Sequence, residues 1–67
     1  MSIAKVTEVS ASSKISFEDA LKQGIARADK TLNNVEGAWI QEQKVIVKGG
    51  EIVEYRVNMK VTFVLND

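Results

Sequence analysis

The stretch 51-EIVEYRVNMKVTFVL-65 decides the fold. From Tyr55 onward its apolar residues occupy every second position: Tyr55, Val57, Met59, Val61, Phe63 and Leu65 point one way. Arg56, Asn58, Lys60 and Thr62 point the other, with Val64 the one apolar exception. Side chains alternate across a strand, so this period of two marks a β-strand with one face for a core and one face open and polar. Immediately before it, Lys48-Gly49-Gly50-Glu51 makes a hairpin turn, because adjacent glycines accept positive φ. Residues 35–47 then form a second strand. Further back, Phe17, Ala20, Leu21, Gly24, Ile25, Ala28 and Leu32 follow the i, i+3, i+4, i+7 stripe of an amphipathic helix, with Lys22, Gln23, Arg27, Asp29 and Lys30 on its wet side. Ser16 is placed to cap that helix, and Asp19, three residues on, is a shorter version of the capping-box glutamate. Glu18 and Asp19 complement the positive end of the helix dipole, while Asn33 and Asn34 tolerate the left-handed backbone that ends helices. The spacing predicts a helix over 17–32. Residues 2–9, SIAKVTEV, read as a first strand from their β-branched content, and residues 10–16, SASSKIS, as a loop. The sum is an α+β chain of order β-α-β-β in one domain spanning 1–67.

At 67 residues, a lone domain buries only about 60 % of the surface its unfolded chain exposes and needs reinforcement. The chain has no cysteine and no histidine, which excludes disulfides, thiolate zinc sites and imidazole ligands. Oligomerisation or an oxygen-ligated ion remains. Lengths favour the former. A helix over 17–32 is about 24 Å long, whereas a strand over 51–65 reaches roughly 50 Å. One helix cannot cover that sheet, and apolar positions towards Phe63 and Leu65, or Val45 and Val47, are left for another subunit. Lys plus Arg and Asp plus Glu number 9 each, so the chain lacks the basic surplus of a nucleic-acid binder or a polybasic membrane anchor. No long apolar run lies in Met1–Ser10 or elsewhere, so the expectation is a cytoplasmic protein without a signal peptide or membrane span.

Trp39 is the single tryptophan. With Ile40 taken as the core-facing residue of its strand, Trp39, Gln41 and Gln43 share the opposite face, beside Arg56, Asn58 and Lys60. An indole among amide and cationic donors suits a planar heteroaromatic ligand, whose ring stacks while polar groups read its edge. A subunit interface is the competing place for a tryptophan. Arg56 and Lys60 suit a phosphate or carboxylate, or cross-strand pairing with Glu36 or Glu42. The carboxylates Glu8, Glu18, Asp19, Glu36, Glu42, Glu51, Glu54 and Asp67 are scattered, with no calcium-loop spacing, and read as solvated surface. Without His or Cys the usual nucleophile–base pairs are missing, and no glycine-rich phosphate loop is present, so an enzyme is not expected.

The strand near 2–9, the small-residue loop, SFEDAL at 16–21, ARADKTL at 26–32 and EYRVNMKVTFVL at 54–65 together resemble the dodecin family across essentially the whole chain. The resemblance implies a three-stranded antiparallel sheet partly wrapped around one helix, and a hollow homo-dodecamer of cubic 23 symmetry. It implies non-catalytic ligand storage. Many dodecins bind riboflavin, FMN or FAD, stacking pairs of isoalloxazine rings between tryptophans of two subunits and hydrogen-bonding them through a glutamine of the third strand; some bind coenzyme A. The family's tryptophan position corresponds to Gly37 here, and its glutamine position to Arg56, which donates but cannot accept. Trp39 stands two residues later, on the same face but displaced by roughly 7 Å. A calcium-binding branch of the family shares the Tyr55-Arg56 pattern and is similar to the chain at WIQEQ, 39–43. Two expectations follow: a flavin or related cofactor carrier using Trp39, Gln41, Arg56, Asn58 and Lys60, or a calcium-binding or purely structural shell with Trp39 in an interface.

Overall fold

A computed structural model of the protein describes residues 3–65. The elements run β1 (Ile3–Ser13), α1 (Phe17–Thr31), β2 (Val35–Lys48) and β3 (Glu51–Leu65). They form one antiparallel sheet in the order β1-β3-β2, with α1 against one face. The strand with the clearest alternation is therefore the central one. Its inward residues Val57, Met59 and Val61 are buried and, with Ala20 of α1, form the core. Val9, Ala11, Phe17, Leu21, Ile25 and Val35 pack around them. Phe17 meets Tyr55 edge to face at 5.2 Å.

Local chemistry sets the ends of the elements. The Ser16 hydroxyl accepts from the Asp19 amide at 3.0 Å, as an N-cap should. Asp19 does not complete a capping box. Its carboxylate instead accepts from the Ser13 hydroxyl and from Gln23 Nε2, each at 2.6 Å, and so ties the end of β1 to the first turns of α1. At the other end the Leu32 amide donates to the Ala28 carbonyl at 2.8 Å, and Asn34 takes φ 63° to turn the chain into β2. Gly49 and Gly50 have φ 59° and 77°, the two positive values that a type I′ hairpin turn requires.

Most boundaries fall within a residue of the expected ones, but the loop expected over 10–16 does not exist as such. β1 continues to Ser13, opposite Tyr55. Pairing with β3 makes it strand, and the small side chains serve the packing of α1. Ala11 lies beneath Gly24, where an added Cβ would come within 3.0 Å of the Ala11 Cβ, so small residues are what permit the close approach of α1. Ser2, the first residue of the expected strand, lies outside the described residues.

The structure is 52 Å long, and the 15-residue helix covers about 22 Å of it. Ile40, Val47 and Leu65 remain 42 %, 54 % and 41 % exposed. Phe63 and Val45, also expected to be uncovered, are half-buried. No helix among the described residues is long and apolar enough to cross a membrane.

Candidate functional site

Strand register determines which residues share the face turned away from α1, because directly opposed residues of an antiparallel pair lie on one side. Glu8 opposes Lys60, which opposes Trp39. The next row along β3 is Ser10, Asn58 and Glu42, and the one after it is Ser12, Arg56 and Lys44. In the other direction lie Val6, Thr62 and Gly37. The open face is thus a polar band, with one indole at its edge and a small, flat patch beside it. Trp39 is 52 % exposed, and a Cβ added at Gly37 would meet nothing within 4 Å, so the space next to the indole is clear.

A bulge reshapes β2 between Ile40 and Glu42. Ile40 pairs with the buried Met59, as expected for its core-facing side, and Gln41 is the extra residue. Beyond it the phase is inverted: Glu42 opposes Asn58 on the open face, and Gln43 opposes Val57 on the helix side. The expectation that Gln43 shares the face of Trp39 is therefore corrected. Glu42, assigned to plain surface from the sequence, takes its place. Nothing in WIQEQ distinguishes a regular strand from a bulged one, so only the register reveals it.

Trp39, Lys60 and Asn58 lie in two adjacent rows, and Gln41, the extra residue of the bulge, adjoins them in sequence without a place in either row. Arg56 does not join them: it lies four residues along β3 from Lys60, about 14 Å away along a strand. It is also already engaged. Its Nε and Nη2 both contact Glu54 Oε2 at 3.0 Å, so it pairs along its own strand and not with Glu36 or Glu42. Asn58 Nδ2 donates to Glu8 Oε2 at 3.3 Å. Lys60 is half-buried and has no carboxylate within 4 Å among the described residues.

Two concavities flank these groups. One, of about 270 Å³, lies on the open face and is lined by Ser10, Glu42, Lys44, Arg56 and Asn58 among others. A larger groove of about 420 Å³ runs between α1 and β1 on the opposite side, over Ala11, Gly24 and Ala28, with Arg27 and Thr31 on its rim. Its sequence signal was the run of small residues on α1. It is larger, but the exposed indole of Trp39 and Lys60 lie on the other face. No group of three or more carboxylates gathers among the described residues.

Comparison with known proteins agrees with this architecture. A family model described as Dodecin matches residues 3–66. The dodecin of Streptomyces davaonensis is similar in structure, with a TM-score of 0.94 at 30% identity over 98% of this chain and 97% of that one. A dodecin variant from T. thermophilus has a TM-score of 0.94 at 27% identity over 100% of both chains. The calcium-chelating antigen calcium dodecin of Mycobacterium tuberculosis, described as having a novel calcium-binding site, has a TM-score of 0.82 at 28% identity, covering 96% of this chain and 91% of that one. Comparison with curated protein sequences found no match.

Proposed function

This chain belongs to the dodecin family, and from that membership we propose that it is a non-catalytic carrier that binds a planar cofactor of the flavin kind, riboflavin or FMN, on the open face of its sheet. The observation that supports this best is the exposed indole of Trp39 with clear space over Gly37 and the Lys60 and Asn58 donors beside it. The working form is a homo-oligomer, a dodecamer by analogy with the family, in the cytoplasm. The residues proposed to meet the ring are Trp39, Gln41, Asn58 and Lys60. Arg56, too distant to touch the same ring from the same chain, meets either the ligand's side arm or a ligand held by a neighbouring copy.

The test is a titration of the purified protein with riboflavin and with FMN, following flavin fluorescence, with particle mass measured by light scattering on the same sample. Saturable quenching that is abolished by Trp39→Ala, on an assembly of unchanged mass, is the expected result. If Trp39→Ala instead breaks the assembly, the indole is an interface residue and the carrier reading fails.

A second reading is motivated by the neighbouring oxygen donors Glu8, Ser10, Asn58 and Glu42, and by the likeness to a calcium dodecin. In it, the chain forms a calcium-binding or purely structural shell, with the cation coordinated between copies. Calcium then raises the melting temperature and a chelator lowers it, whereas riboflavin does neither.

A further inference from the structure

We infer that Lys60 is the specificity-determining residue of the proposed ring site, and that it selects planar ligands presenting carbonyl or anionic acceptors at the ring edge over cationic rings of the same size. This inference rests on the carrier reading above. Lys60 directly opposes Trp39 across the β3–β2 ladder, and such side chains meet at Cβ separations of roughly 4.5–5.5 Å. A ring stacked on the exposed indole therefore has the lysine stem beside it and the ammonium at its margin.

The ammonium is available for that purpose. Its neighbour on the other side, Glu8, directs a carboxylate oxygen to Asn58 Nδ2 at 3.3 Å, and no carboxylate among the described residues lies within 4 Å of Lys60 Nζ. Arg56, another cation of this face, is held by Glu54 two residues away. Lys60 is also half-buried between its neighbours, so a hydrogen bond from it to a ligand forms in a less aqueous setting than at a bare surface. Three hydrogens on an ammonium can serve two carbonyls of one ring edge, while a cationic ring meets like charge at the same place.

The groups that the register places beside the site are Glu8 of β1, Lys60 and Asn58 of β3, and Trp39 and Glu42 of β2; α1 lies on the other side. Glu8 and Glu42 add negative charge near the site, so Lys60 supplies the positive charge among these groups, while Asn58 adds a neutral donor.

The experiment compares riboflavin, a neutral ring with two edge carbonyls, with proflavine, a cationic ring of three fused rings, using fluorescence titration on the intact assembly. The wild type is expected to bind riboflavin at least tenfold more tightly than proflavine. Lys60→Met, which keeps much of the stem, is expected to lose about ten- to a hundredfold in riboflavin affinity, the range for a hydrogen bond to a charged group. Lys60→Arg is expected to retain most of the affinity, and Lys60→Glu to favour proflavine. Light scattering on each variant identifies any that no longer assembles, and the Arg variant then decides through the charge it keeps. Equal riboflavin binding by wild type and an assembled Lys60→Met variant overturns the inference while leaving the carrier reading intact. Absence of riboflavin and FMN binding to the wild type overturns both.

Discussion

Gly24 is the residue on which the packing of α1 depends. A Cβ there would lie 2.8 Å from Met59 Cε and 3.0 Å from Ala11 Cβ. The methionine methyl is the end of a flexible side chain, but Met59 is fully buried and has little room to yield. Replacing a mid-helix glycine by alanine ordinarily gains about 0.5–1 kcal/mol; overpacking costs about 1–3 kcal/mol. Gly24→Ala is therefore expected to lower stability by roughly 1 kcal/mol, and denaturant melts would read the opposite sign if the helix simply shifts outward. Gly37 behaves differently, since open space surrounds it. Gly37→Trp is expected to change stability by no more than about 0.5 kcal/mol, and to place an indole two residues from Trp39 on the same open edge. Under the carrier reading it alters flavin quenching without altering particle mass. The identities of these residues were plain in the sequence, and so was the outward place of Trp39, Asn58 and Lys60. The partner of Arg56 was not, because its pairing with Glu54 is a choice among several nearby carboxylates that only three-dimensional geometry resolves.

The elements show which physical signals are local. The helix was legible because stripe, N-cap and acidic first turn coincide over one segment. The hairpin was legible because two adjacent glycines leave few alternatives, and both take positive φ. The extension of β1 through Ser13 was not, since Ser-Ala-Ser-Ser has the composition of a loop and becomes strand only because β3 pairs with it. The bulge at Gln41 was hidden for the same reason: it is a property of two strands together. The junction between β1 and α1 is testable. Ser16→Ala removes the acceptor of the Asp19 amide and is expected to cost about 1 kcal/mol. Asp19→Ala keeps that amide and with it the cap, but strips the partner from the Ser13 hydroxyl, which is buried, and from Gln23, and is expected to cost more. Chemical denaturation of the two variants at equal protein concentration measures the order. An unchanged stability in the Asp19 variant would mean that its carboxylate links to Ser13 and Gln23 contribute nothing.

At the scale of the whole molecule the governing fact is the mismatch between a sheet in a body 52 Å long and a helix of about 22 Å. α1 shields the middle of the sheet and leaves apolar residues uncovered at both ends and along β2. Ile3 and Leu65 oppose one another at one end; Val47, Ile52 and Val53 cluster at the hairpin end, and Ile15 is 74 % exposed in the turn before the helix. Both outer strands, β1 and β2, also present unpaired edges. A free chain of this size with so small a core is marginal, and under the oligomeric reading contacts with further copies are expected to supply a large part of its stability. That reading predicts that folding is coupled to assembly and that the melting temperature rises with protein concentration. A charge placed in the uncovered surface must then act on mass and stability together. Ile40→Lys and Val47→Lys each keep the buried residues of the core intact, yet each is expected to shift light-scattering mass towards smaller species and to lower the melting temperature at a fixed concentration. A Ser12→Lys change on the polar face, beside Arg56, serves as the control for added charge alone. If the Ile40 and Val47 variants retain full mass and a concentration-independent melt, those side chains lie outside the contacts between copies, and the polar face must carry the assembly instead.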